Sequence, residues 1–405
     1  MGMLGAIALV VLCFSLAAQG APVQVLMPSA DQVASASGFA EPSFQPVRDH
    51  SLAEALSRYR SLAPGERWSS LADGPYLTLG MIDPQLSEIR RRLSILGDHN
   101  AWQPWHVNSE YYDRPLYDAV RRFQSRHGLK VDGIIGPNTR AELSVAPDQR
   151  ADQIALNIYR QADFPAEPPA EYLQINIPAY QLSYVRDRQL ELQMRAIVGQ
   201  PDRPTPQLRS KLQSVVLNPA WNVPKGIAYR DIIPYLRRNP ERVLNRLGLK
   251  LVQGYDKPPQ LLDPSQLDFQ RLYLGRWSQQ QRFWQPPGRK NALGNIKFTF
   301  PNRYTVYIHG TPQHSLFREP FRTFSSGCIR IEHPRRLAER LMDNESDDTV
   351  DLDVLLAGEQ TLELPLPREV PLFLTYWTAW VEPDGILQFR RDVYHWDDYP
   401  LVDQR

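Results

Sequence analysis

Two residues in this chain have the chemistry for nucleophilic catalysis. Cys328 lies in "SSGCIRI" (325 to 331), and His309 ends the run "YTVYIH" 19 residues earlier. A free thiol with a pKa near 8.5 is only slightly ionised at neutral pH, and an adjacent imidazole lowers that value by several units. In "YTVYIHG" a period of two places Thr305, Tyr307 and His309 on one strand face and Val306 and Ile308 on the other. "CIRI" is a second short alternating run, so two strands joined by a loop from Thr311 to Phe324 would bring thiol and imidazole together. Gly327 leaves room for a substrate against the backbone, and the amides of Gly327 and Cys328 are candidate oxyanion donors. Two other readings stay open. Cys328 packs equally well as a small buried apolar group, and His309, His314, His333 and Cys328 form a conceivable zinc set, although no CxxC or HExxH spacing is present.

The elements that must hold this pair follow from pattern. "YLQINIPAYQLSYVRD" alternates apolar and polar residues and turns at Arg186 to Arg188, and "LELQMRAIVG" and "LQSVVLNPAWNVP" continue in that style. From about 226 to 290 the alternation stops: "YRDIIPYLRRNPERVLNRLG" reads as helical and "PPQLLDPSQLDFQRLYLGRWSQQQRFWQPPG" as polar, aromatic and turn-rich, which predicts an insertion between strands. "IKFTF" and "RYTVYIHG" resume the strands, Pro334 opens a helix, and "VPLFLTYWTAWV" with "ILQFRRDVY" predicts a closing hairpin around Pro383-Asp384-Gly385. Upstream, helical spacing is clear at 51 to 63, 84 to 97 and 115 to 129, with a further helix near Asn138 and Thr139. "ADFPAEPPAEY" (162 to 172) reads as a proline-rich boundary.

Composition narrows the function classes. The 405 residues include 46 Lys plus Arg and 45 Asp plus Glu, a net charge of +1, which gives no electrostatic reason to expect nucleic acid. Thirty-six prolines exceed the roughly 5% average and favour a β-rich body with many rigid turns. The first 20 residues read as an export signal with cleavage expected after Gly20, and Leu12 before Cys13 argues against a lipoprotein site. Removal of that segment leaves Cys328 as the sole cysteine, a lone thiol in an oxidising compartment.

"AVRRFQSRHGLKVDGIIGPNTRAEL" within residues 79 to 145 resembles the small three-helix peptidoglycan-binding domain of many wall enzymes. "YIHGTP" followed by "SSGCIRI", together with "NPAWNVP", "PPGRKNALGNIKFTFPN" and "VPLFLTYWTAWVEPDG", resembles the L,D-transpeptidases, in particular the larger Gram-negative branch with a capping insertion. Ser326 stands where most of the wider family has histidine, which removes any second histidine beside the nucleophile. The resemblance implies an α+β multidomain chain: a β-rich L,D-transpeptidase catalytic domain at 171–405 with a helical capping insertion at 226–290. Ahead of it come a helical scaffold segment at 21–78, the peptidoglycan-binding-like domain at 79–145, and a scaffold helix with proline-rich linker at 146–170. It implies Cys328 as nucleophile, His309 as base, and the Gly310 carbonyl as the group that fixes the histidine tautomer. Tyr307, Ser326, Gly327, Arg330 and Trp221 are then expected to line the substrate, with Arg330 facing a carboxylate. The implied activity is a 3→3 cross-link between peptidoglycan stem peptides through a thioester, in the periplasm, by a monomer that needs no metal or organic cofactor. Expected partners are a donor tetrapeptide and an acceptor stem, with no nucleic acid and no membrane insertion once the signal is cleaved. The acceptor is open among a stem, a lipoprotein lysine and a free D-amino acid. A carboxypeptidase of the same fold and a non-enzymatic wall-binding protein are the rival readings.

Overall fold

The computed structural model describes residues 46–398 except 63–67, 100–107, 237–238, 255–258, 267, 269–270, 272–279 and 344–350. The expected export signal and Cys13 lie outside the described residues, as do Phe269, Tyr273 and Trp277 of the insertion. No helix among the described residues is long and apolar enough to cross a membrane.

Among the described residues five helices come first: α1 (Leu52–Leu62), α2 (Gln85–Ile95), α3 (Arg114–Arg126), α4 (Pro137–Ser144) and α5 (Pro147–Ala162). Local chemistry sets their ends. The Asp113 carboxylate accepts from the Leu116 amide at 2.9 Å to cap α3, and Pro115 fits the first turn, where its missing N–H costs nothing. Leu86, Ile89 and Leu93 of α2 and Val120 and Phe123 of α3 recur at helical spacing and are fully buried. Their core is not theirs alone. Leu52 and Tyr59 of α1, Ala151 and Ile154 of α5, and Ala379, Leu387 and Phe389 near the C-terminus belong to the same apolar cluster. Two buried ion pairs, Arg126–Asp98 and Arg150–Glu142 (both 2.6 Å), are also sealed into this region.

A nine-stranded sheet forms the second body. Its strands are β1 (Tyr172–Asn176), β2 (Gln181–Arg186), β3 (Gln189–Gly199), β4 (Leu208–Leu217), β9 (Ile296–Thr299), β10 (Ile308–His309), β11 (Thr323–Ser325), β12 (Ile329–Ile331) and β13 (Leu362–Thr375). The order is β11-β3-β12-β10-β9-β4-β13-β1-β2, and an additional β2–β3 pairing curls the sheet into a barrel-like form. The inward residues, among them Leu173, Ile175, Val215, Phe298, Ile308, Ile329 and Ile331, make a continuous core roofed by the helix Pro334–Met342.

Two sequence expectations need correction. In the first half of the insertion Lys225–Ile227 and Ile233–Leu236 flank a π-helical turn, Ala228–Ile232, and Pro240–Leu247 follows. Its second half joins β5 (Trp221–Asn222) in a small antiparallel sheet with β6 (Lys250–Gln253), β7 (Gln260–Leu261) and β8 (Gln281–Gln285), ordered β5-β8-β6-β7. Strands of two to five residues are too short to display a period. The closing hairpin is also smaller than expected. Only β14 (Ala379–Val381) and β15 (Leu387–Phe389) pair in it, whereas "VPLFLT" extends β13 alongside β1 in the main sheet.

Candidate active site

The sheet register assembles the site. β10 and β12 run parallel with Ile308 opposite Ile329 and His309 opposite Arg330, while β9 places Lys297 opposite His309 from the other side. Ile308, Ile329 and Phe298 point into the core, so Lys297, His309 and Arg330 form a row on the other face. Tyr307 and Cys328, one step earlier on each strand, continue the pattern, and the Tyr307 carbonyl accepts from the Ile329 amide at 3.0 Å. The strand expected from Thr305 begins only at Ile308, because Thr305 has φ +54°. Tyr307 and His309 still share a face, with ring centroids 5.5 Å apart.

His309 is buried (4% exposed), and its Nδ1 lies 2.5 Å from the Gly310 carbonyl. A carbonyl only accepts, so Nδ1 carries the proton and Nε2 is the basic nitrogen. Burial first, then the Arg330 and Lys297 charges, hold the imidazole down to about 3, so it is neutral at physiological pH. The Gly310 carbonyl is itself positioned by close backbone packing. Gly294, at φ +67°, approaches so tightly that a Cβ there would sit 2.8–2.9 Å from the Thr311 nitrogen and the Gly310 carbonyl carbon.

Cys328 departs from expectation. It is half-buried, and burial pushes its thiol up, opposed by contacts with the Tyr307 main chain and hydroxyl and by the Lys297 and Arg330 charges. No hydrogen bond joins it to His309 among the described residues. Both groups rest neutral, because desolvation penalises the thiolate and the imidazolium alike. The Tyr307 hydroxyl also meets Trp221 of the small sheet, and Lys297 Nζ stands 4.3 Å over the Tyr307 ring.

The loop before the cysteine is held by residues that the sequence did not single out. Ser325 Oγ accepts the Gly327 amide at 3.1 Å and donates to the Cys328 carbonyl at 2.5 Å, so the Gly327 amide is not the free oxyanion donor expected. The Cys328 amide has no acceptor among the described residues. Thr205 Oγ1 donates to the Gly327 carbonyl and accepts the Gly199 amide, both at 2.9 Å. Gly327 itself has φ +107°, a conformation that a side chain would strain. Ser326 Oγ accepts from Arg203 Nη1 at 2.9 Å, and the same nitrogen donates to Asp231 of the π turn at 2.7 Å. The Thr205–Gly327 and Arg203–Ser326 ties join segments about 120 residues apart, and no local signal in the sequence marks them.

Arg330 donates to the Gln313 side chain at 2.9 Å, and its buried Nε has no partner. No carboxylate is within ion-pair distance of it among the described residues, which leaves its charge toward the site. The alternative zinc set does not converge among the described residues: His314 opens a 3-10 turn near Phe317, and His333 lies 3.8 Å from Glu332. Among the described residues no group of three metal-ligating side chains is found.

Residues 170–352 match the family model described as "L,D-transpeptidase catalytic domain", and residues 83–143 match "Putative peptidoglycan binding domain". A curated protein of Haemophilus influenzae named "Putative L,D-transpeptidase" is 34% identical over 223 residues, 55% of this chain. That match spans 44% of the relative's own length. Among solved structures, the L,D-transpeptidase of Xylanimonas cellulosilytica is 14% identical, with 75% of this chain and all of that chain covered and a TM-score of 0.22. L,D-transpeptidase 3 of Mycobacterium tuberculosis, solved with a faropenem-derived adduct, is 12% identical, covering 51% and 61% of the two chains at a TM-score of 0.26. The chain thus carries, at residues 170–352, a domain of the L,D-transpeptidase catalytic family and, ahead of it at residues 83–143, a domain of the peptidoglycan-binding family.

Proposed function

We propose that this chain is an exported peptidoglycan L,D-transpeptidase of the periplasm that forms 3→3 cross-links and shapes the wall. The observation that carries the reading is the single sheet face on which Tyr307, Cys328, His309 and Arg330 lie together, with His309 Nδ1 tied to the Gly310 carbonyl. That arrangement supplies a nucleophile, a base of defined tautomer and a cation for a substrate carboxylate.

In this mechanism His309 Nε2 takes the thiol proton as Cys328 Sγ attacks the carbonyl at the L-centre of the third stem residue. The Cys328 amide, free of an internal acceptor, faces the developing oxyanion. The C–N bond to the terminal D-Ala breaks, and the imidazolium returns its proton to the departing amine. The amine of a second stem then attacks the thioester. Its proton passes to His309, the C–S bond breaks, and the thiol is restored. Trp221 and the insertion's small sheet flank the donor side and exclude water, which would hydrolyse the thioester. Carbapenems fit the same chemistry, their strained carbonyl acylating Cys328.

The decisive experiment is mass analysis of products from purified disaccharide-tetrapeptide. Cross-linked dimers lacking one D-Ala support the transferase. Trimmed monomers alone identify a carboxypeptidase, and an unreacted substrate would leave a wall-binding role. A lipoprotein lysine or a free D-amino acid, supplied in parallel, establishes the acceptor.

A further inference from the structure

Lys297 is a half-buried ammonium with no hydrogen bond or ion pair among the described residues. It stands on β9 opposite His309, and Val216 of β4 is its register partner on the other side. Its Nζ lies 4.3 Å over the Tyr307 ring, and the Tyr307 hydroxyl contacts the Cys328 thiol. The carboxylate whose charge reaches Lys297 is Glu363, one strand beyond Val216 on β13. Glu363 is exposed, and it accepts from Ser214 Oγ at 2.6 Å.

An ammonium drawn out of water costs free energy until an anion comes to it. Burial holds Lys297 below the ordinary lysine value, and negative charge on Cys328 raises it again, ahead of Glu363. The thiol has the matching need. Tyr307 and His309 of β10, Lys297 of β9 and Arg330 of β12 face it, and Lys297 acts on it more strongly than Arg330, which is tied to the Gln313 side chain. His309 is no resting counter-ion. Its imidazole is held down to about 3, in part by the Lys297 charge itself, so it waits as a neutral proton acceptor. A substrate carboxylate is the other anion that would satisfy Lys297. Its placement favours the thiolate, because the ammonium lies over the ring whose hydroxyl touches sulfur, and a cation on that face strengthens the hydroxyl as a donor.

We infer that Lys297 is the fixed positive charge that stabilises the Cys328 thiolate across the Tyr307 ring, so that the counter-ion of the nucleophile is this ammonium of β9 and not the imidazolium of His309. The thiol proton still passes to His309 Nε2 and on to the departing amine, while Lys297 keeps its three protons throughout. The inference rests on Cys328 being the nucleophile of the reading above and adds the charge that activates it.

The test is the pH dependence of iodoacetamide alkylation in the full chain, with the modified residue located at Cys328 by peptide mass. Lys297→Met keeps the apolar stem and removes the charge. The expected result is a thiol midpoint about one pH unit higher, roughly a tenfold smaller thiolate fraction at neutral pH. Lys297→Arg should return the midpoint to within about half a pH unit of the parent, since the charge is restored. Arg330→Met should move it less than Lys297→Met does. Thermal midpoints report the fold, and Lys297→Gln replaces the Met variant if that one does not fold. A folded Met or Gln variant with the parent's thiol midpoint overturns the inference, as does a larger shift from Arg330→Met. A raised KM for disaccharide-tetrapeptide with an unchanged thiol midpoint also overturns it, and assigns Lys297 to a substrate carboxylate. Alkylation needs no substrate, so a parent that forms no dimers removes the transferase reading and leaves the thiol result standing.

Discussion

His309 and Arg330 are direct register partners across the parallel β10–β12 pair, so the candidate base shares its row with a guanidinium that has no carboxylate partner among the described residues. Charge and burial act in the same direction on the imidazole and hold it down to about 3. Arg330→Met removes one of those causes, so the His309 pKa should rise. The acid limb of the kcat/KM profile should then move to higher pH, as single-substrate pH profiles would show. The sign for stability follows the same logic. Unfolded His309 binds a proton below about 6.5 and folded His309 does not, so acidification from there toward 3 favours unfolding. Denaturant midpoints measured across that range should fall less steeply in the Met variant.

Cys328→Ser should lower turnover by on the order of 10³-fold or more, because an alcohol far exceeds what a weakly basic imidazole can deprotonate. The fold should persist, with an unchanged thermal midpoint. Intact-mass spectra after prolonged carbapenem exposure should show an adduct on the parent and none on the variant. An equal adduct on both would remove Cys328 as nucleophile.

Arg203 bridges the loop before Cys328 and the insertion, reaching Ser326 and Asp231 from one nitrogen. Arg203→Met should lower donor kcat/KM by about tenfold to a hundredfold through loss of positioning. Alkylation of Cys328 by a small reagent should be little changed. Hydrogen exchange across 225–236 should quicken in the variant, and unchanged exchange there would show that the bridge does not hold the π turn.

Gly294→Ala tests the backbone beneath the histidine. The new methyl would meet the Gly310 and Thr311 main chain, and the positive φ would be strained as well. A loss of about 1–3 kcal/mol is expected, together with reduced kcat, since the Gly310 carbonyl that orients His309 must shift. Calorimetry and steady-state rates would separate the two effects.

The pairing of Cys328 with His309 and the Tyr307–His309 face were legible because a period of two and a thiol placed after a glycine are local signals. The insertion's sheet was hidden because its strands, such as Trp221–Asn222 and Gln260–Leu261, are shorter than any detectable period. Thr205, Arg203 and Lys297 were invisible for a different reason: each acts on the site across the sheet, through register and loop packing that only the closed fold establishes. The neutral state of Cys328 was likewise beyond reach, since burial, which outweighs nearby charge, is a property of the assembled site.

The apolar cluster that joins Tyr59, Phe123 and Ile154 to Leu387 and Phe389 has a temporal consequence. On a ribosome, the helices emerge more than 200 residues before the hairpin that completes their interior. Until then their apolar faces lack a lining, and contacts so distant in sequence form late. The Ala379–Phe389 hairpin therefore acts as a clasp. A ribosome stalled before residue 379 would leave the first helices soft and open to proteases, and release of the hairpin would let them close in a single step.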